Sequence, residues 1–144
     1  MNLATFALEH LNSRMPANIL LIDDNAVQAA TRQTILRRAG YFVIAALNPA
    51  RALEQIQGAD LPEEIGLVIT DHMMPGMTGA DFVRALRKTH PRMPVLVISG
   101  LEEAEQEYAE LNVTFRMKPL LPDHLLETVR QLLGSNGSDL SAVS

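Results

Sequence analysis

The chain has 144 residues, no cysteine and a formal net charge of −5. This length suits a single domain with a core that needs no staples, and the missing cysteines exclude disulfides and thiolate metal sites. The acidic balance argues against a nucleic-acid partner held by a basic face. No apolar run approaches the ~20 residues that span a bilayer, and the amino terminus lacks the positive charge of a signal peptide. The expectation is a cytoplasmic protein with no membrane partner.

Met1 to Pro16 stands apart as a leader, with Leu3, Phe6, Ala7 and Leu11 on one helical face. It reads as a short helix packed on the domain; a homodimer contact and the end of a preceding domain are the alternatives. Asn18 to Ile22 is a short strand of the doubly buried type, and it stops at Asp23 and Asp24. Ala26 to Ala39 follows as a helix, with Val27, Ala30, Thr34, Ile35 and Leu36 at helical spacing and Gly40 ending it. Tyr41 to Ala46 is the second strand. Asn48 caps a helix that has Pro49 in its first turn and runs to about Gln57.

Gly58 to Gly66 is a loop, and the third strand, Leu67 to Thr70, stops dead at Asp71. The next helix spans Gly79 to Lys88, with Phe82, Val83 and Leu86 inward. Pro94 to Ile98 is the fourth strand, ending at Ser99 and Gly100. An acidic helix, Glu102 to Leu111, leads to the fifth strand, Val113 to Met117, which ends at Lys118 and Pro119. Pro122 to Leu133 is the last helix, and 134–144 reads as a disordered polar tail, which leaves residues 17–133 as the domain.

Strands that alternate with helices five times imply an α/β fold: a doubly wound (βα)5 parallel sheet with right-handed crossovers. There is no P-loop and no G-x-G-x-x-G after the first strand, so nucleotide binding by those routes has no support. In a parallel sheet all carboxyl ends share one edge, which is where ligands bind. That edge gathers Asp23, Asp24, Asp71, Ser99 and Lys118. Singly, each has a plain reading: a helix cap, an Asx turn, a loop serine, a surface lysine. Together they suit a phosphoryl group. Clustered carboxylates raise one another's pKa and call for a counter-charge. A hard divalent cation, a lysine ammonium and a hydroxyl supply charge and orientation around a carboxylate nucleophile.

The order of these groups resembles the receiver domain of two-component response regulators, the CheY-like superfamily. The likeness covers about Ala17 to Leu133: an acidic pair after the first strand, Asp-x-x-Met-Pro-x-Met-x-Gly from Asp71 to Gly79, Ser99-Gly100 after the fourth strand, and Lys118-Pro119 after the fifth. The resemblance implies a flavodoxin-like sheet of order 2-1-3-4-5. It implies Asp71 as phosphoacceptor for a histidine kinase or phosphotransfer protein. Mg²⁺ (or Mn²⁺) would be bound by Asp24 directly, by Asp23 mostly through water, and by Asp71 and the backbone carbonyl of Met73. Lys118 and Ser99 would hold the phosphoryl oxygens, Phe115 would be the aromatic switch, and the Lys118-Pro119 bond would be cis. Phosphorylation would draw Ser99 inward, let Phe115 rotate, and reshape the face of the fourth helix, fifth strand and fifth helix for a downstream protein target.

The resemblance also implies a protein that is no turnover enzyme, acting only on its own phosphorylation. Several features depart from the usual pattern. Phe115 lacks the hydroxyl of a tyrosine, the stretch from Ser99 to Lys118 is short, and the fourth helix, acidic at Glu102, Glu103, Glu105, Glu107 and Glu110, is expected to be trimmed or irregular. The bulky, apolar Met73 and Leu101 flank Asp71 and are expected to hinder hydrolytic water and lengthen the phosphorylated lifetime. Three alternatives stand beside the single-domain regulator: a receiver cut from a hybrid histidine kinase or multidomain regulator, a pseudo-receiver, and an aspartyl-phosphate phosphatase. The last would need a second carboxylate where Met73 stands. No segment after Leu133 reads as a DNA-binding output.

Overall fold

Short, mostly apolar runs and helix starts capped at Asn25, Asn48 and Thr78 account for most elements of the computed structural model, which describes residues 18–58 and 64–143, with side chains described as far as Gly134. The leader and loop residues 59–63 lie outside the described residues. The strands are β1 (Asn18–Ile22), β2 (Val43–Ala46), β3 (Ile65–Asp71), β4 (Val95–Ser99) and β5 (Thr114–Met117). The helices are α1 (Ala26–Arg38), α2 (Pro49–Gln57), α3 (Gly79–Thr89) and α4 (Pro122–Val143), with a 3₁₀ segment (Glu102–Tyr108) between β4 and β5. All strand pairs are parallel, and the order is β2-β1-β3-β4-β5, as the resemblance implied.

The side-chain period of two divides each central strand between two cores. Leu20, Ile22, Val68, Val95 and Val97 face α2, α3 and the 3₁₀ segment, packing with Phe82 and Leu86. Ile19, Leu21, Leu67, Ile69, Leu96 and Ile98 face α1 and α4, packing with Leu36, Leu125 and Val129. Each such side chain, fully buried, contributes ~1.5–3 kcal/mol of transfer free energy. The helix starts are fixed by side chains that accept from free backbone N–H groups: Asn25 from Gln28, Asn48 from Arg51, and Thr78 from Asp81 in a capping box.

The structure departs from the sequence expectation at several places; β2, expected from Tyr41, begins at Val43. β3 begins at Ile65, two residues before the expected Leu67, because Ile65 pairs with Asn18 on the β1 edge. The face of α1 is turned: Val27 is 76% exposed, and the buried residues are Ala29, Arg32 and Leu36. The acidic helix read over Glu102 to Leu111 is trimmed and irregular, as its short connection led one to expect: it is a 3₁₀ segment that ends at Tyr108, and Glu110 and Asn112 take positive φ after it. The short connection accounts for the tight winding. Seven residues cover about 14 Å at the 3₁₀ rise, where an α-helix would cover about 10 Å. Finally, the backbone of α4 runs to Val143, through the stretch expected to be a polar tail.

Candidate functional site

The alternation that divides the core also sorts the side chains at the sheet's carboxyl edge. Asp23 follows Ile19 and Leu21 in parity, and its N–H still bonds the Ala46 carbonyl at 3.0 Å. Asp71 follows Leu67 and Ile69 in the same way. Both carboxylates therefore emerge on the α1–α4 side, and both are buried. His72 and Ser99 emerge on the opposite side, toward α3 and the 3₁₀ segment. Asp24 is out of phase with its neighbour and lies exposed.

Every carboxylate oxygen of the buried pair already has a donor. Asp23 Oδ1 accepts from the Asn25 N–H at 2.9 Å. The Gln28 amide bridges the pair, donating to Asp23 Oδ2 at 2.7 Å and Asp71 Oδ2 at 2.9 Å. Arg32 Nη1 lies 3.2 Å from Asp23 Oδ2 and 3.5 Å from Asp71 Oδ1. Lys118 Nζ reaches Asp71 Oδ1 at 2.9 Å from the far strand, beside a cis Lys118-Pro119 bond. Burial pushes the Asp23 carboxyl above the ordinary range, and the adjacent Asp71 adds to this; the Asn25 N–H and Gln28 amide oppose it. Two buried carboxylates are thus matched by two cations, one from α1 and one after β5.

The donor chemistry suits a hard divalent cation: Asp23, Asp24 and Asp71 carboxylates with the Met73 carbonyl are all oxygen ligands. The three carboxylates do not converge, however. Among the described residues no group of three or more His, Asp or Glu side chains is gathered closely enough to hold a metal. Ser99 is buried, and its hydroxyl accepts from the Leu101 N–H at 3.0 Å, so it is engaged with its own loop. Met73 and Leu101 stand exposed at 63% and 41%, while Met74 is buried in the core.

The sequence reasoning missed Gln28 and Arg32. Their only signal was a polar and a charged residue beside the inward Ala29–Leu36 stripe, masked by the wrong helix face. It also missed His72 and Tyr108. The His72 ring is buried, with Nδ1 2.7 Å from the Tyr108 hydroxyl and Nε2 3.2 Å from Glu107. Tyr108 in turn packs on Phe115, ring centroids 5.8 Å apart. A chain of contacts therefore leads from the buried residue after Asp71, through the 3₁₀ segment, to the half-buried Phe115 on β5.

Comparison with known proteins decides what this arrangement belongs to. A family profile described as the response regulator receiver domain matches residues 19–130. The chain belongs to the response regulator receiver domain family. Among curated relatives of this receiver domain, the hydrogenase transcriptional regulatory protein HoxA of Cupriavidus necator is 32% identical over 126 residues, covering 84% of this chain and 25% of that protein. The sensor kinase CckA of Brucella abortus is 32% identical over 120 residues, covering 81% of this chain and 12% of that protein. The receiver domain thus spans a quarter or less of the length of these two relatives. Among solved structures, the Vibrio cholerae chemotaxis protein CheY4 superposes with a TM-score of 0.73 at 30% identity, covering 82% of this chain and 99% of that one. A CheY-like receiver domain protein from Methanospirillum hungatei, at 24% identity and a TM-score of 0.77 over 86% and 98% of the two chains, shares the fold. No helix among the described residues is long and apolar enough to cross a membrane.

Proposed function

We propose that this receiver domain is a phosphoacceptor in a two-component or phosphorelay system, with Asp71 as the acceptor. The observation that carries the proposal is the buried Asp71 carboxylate at the end of β3, with the Lys118 ammonium 2.9 Å away and Ser99 at the neighbouring strand end. An Asp71 oxygen attacks the phosphorus of a phosphohistidine on a histidine kinase or phosphotransfer protein. The P–N bond breaks, the imidazole nitrogen takes up a proton, and an aspartyl phosphate remains. Lys118 turns from the carboxylate to the phosphoryl oxygens, and the Ser99 hydroxyl leaves its loop to hydrogen-bond them. A bound Mg²⁺ or Mn²⁺, held by Asp23, Asp24, Asp71 and the Met73 carbonyl, would screen the negative charge gathered there.

The output is a population shift rather than turnover on a second substrate. Movement of Ser99 opens space beside Phe115, and the surface of the 3₁₀ segment, β5 and α4 changes for a protein target. The test is labelling by acetyl phosphate in Mg²⁺. Wild type takes up an acid-labile, stoichiometric phosphoryl group, and Asp71→Asn takes up none; equivalent labelling of that variant on another residue overturns the assignment. A second reading, a receiver within a longer regulator or hybrid kinase, is favoured by the 25% and 12% shares of the two relatives. The mass of the native protein in its cell of origin separates the two.

A further inference from the structure

We propose that Arg32 is a built-in counter-ion that competes with the divalent cation for the phosphoacceptor pocket. It rests on the reading of this pocket as the phosphoacceptor site. Three observations support it.

The first is placement. Arg32 is one of three buried residues on α1, between Ala29 and Leu36, and its side chain is 11% exposed. Arginine is almost never buried unless paired. Here it is paired with both buried carboxylates, Asp23 at 3.2 Å and Asp71 at 3.5 Å.

The second is saturation. The Gln28 amide lies across the same two carboxylates, so the oxygens a cation would take are already occupied by the chain's own donors. With Lys118 at Asp71, the buried pair is charge-balanced without any ion. A divalent cation added to this arrangement would meet a guanidinium within hydrogen-bond distance of its ligands, a repulsion that low-dielectric surroundings strengthen.

The third is an exit. A groove of about 570 Å³ lies between α1 and α4, lined by Gln28, Arg32, Ile35, Lys118, Leu120 and Leu125. The apolar walls can take the methylene stem of Arg32 while its head turns to water. The pocket therefore has two exchangeable states, one closed by Arg32 and Gln28 and one open to the ion. Entry of the ion costs the Arg32 pairing, so the metal affinity is set by the arginine as well as by the carboxylates.

Calorimetric titration of Mg²⁺ into chelator-stripped wild type and Arg32→Met, without any phosphodonor, tests this. Methionine keeps the stem and removes the charge. The variant is expected to bind Mg²⁺ about tenfold or more tightly, and its Tm to rise more steeply with Mg²⁺ than that of wild type. Equal or weaker affinity in the variant, or binding to neither protein, overturns the inference.

A measurement on wild type covers failure of the variant to fold. The Arg32 Nε–H resonance should move in step with Mg²⁺ addition, and a resonance unmoved across the titration overturns the proposal equally. Phosphorylation is scored separately. If Asp71 takes no phosphoryl group while Arg32→Met binds Mg²⁺ more tightly, the functional reading falls and the counter-ion stands. If Asp71 is labelled and the affinities are equal, the reverse holds.

Discussion

Removing one oxygen atom from Tyr108 should destabilise the domain by more than that atom's size suggests. The Tyr108 hydroxyl and His72 Nδ1 lie 2.7 Å apart, in residues 4% and 3% exposed. Tyr108→Phe keeps the ring against Phe115 but leaves a buried imidazole nitrogen with no partner, which costs ~1–3 kcal/mol. For a chain of this length that is a fall in Tm of roughly 4–12 °C. His72→Leu combined with Tyr108→Phe removes both polar groups, so the double variant should recover much of the loss and the two changes should be non-additive.

The same hydroxyl predicts an alkaline signature. Burial, reinforced by the Glu107 carboxylate, holds its pKa well above the ordinary phenol range. The unfolded chain releases this proton near pH ~10 while the folded one retains it. The raised pKa gives stability that is fully present below that pH and falls above it, by up to ~1.4 kcal/mol per pH unit. Tyr108→Phe should lack that slope. Urea melts followed by circular dichroism at pH 7 and between pH 10 and 11 measure both effects. A variant within ~0.5 kcal/mol of wild type at pH 7, with an unchanged alkaline slope, would refute the reasoning.

Other consequences are equally measurable. Gly79→Ala would place a Cβ 2.5 Å from both the Asp71 carbonyl oxygen and the Tyr108 hydroxyl; the backbone must shift, and a loss of ~1–3 kcal/mol is expected in urea melts. Arg87 donates to the carbonyls of His90, Met93, Leu111 and Asn112 at 2.8–3.0 Å, tying the end of α3 to the approach to β5. Arg87→Ala should cost ~2–4 kcal/mol by the same assay. Replacing the exposed Met73 by Asn and Leu101 by Glu should admit and orient water at phosphorylated Asp71. Decay of the acyl phosphate should then quicken about tenfold, a barrier change of ~1.4 kcal/mol, and an unchanged lifetime would remove these side chains from any gating role.

The strand–helix alternation was legible because β1, β3 and β4 are short, mostly apolar runs that stop at polar residues, and because Asn48 with Pro49 marks a helix start locally. Where local signals were weak, boundaries moved. The segment after Leu101 has no side-chain cap, and its buried Ala104 and Tyr108 serve an α-helix and a 3₁₀ turn almost equally well in the sequence.

By itself the sequence determined the parallel architecture and brought Asp23, Asp71, Ser99 and Lys118 to one edge, since strand ends in a parallel sheet cannot do otherwise. It did not determine which of them meet. That depends on the parity of each residue along its strand and on the rotation of α1 against the sheet, and the ambiguous stripe of α1 hid the rotation. Only the tertiary structure turned Val27 outward and Arg32 inward, set Gln28 across two carboxylates, and placed His72 against Tyr108. Asp71 is a strand-end aspartate in the sequence; its partners were decided by packing, because a helix face is chosen by everything it covers at once.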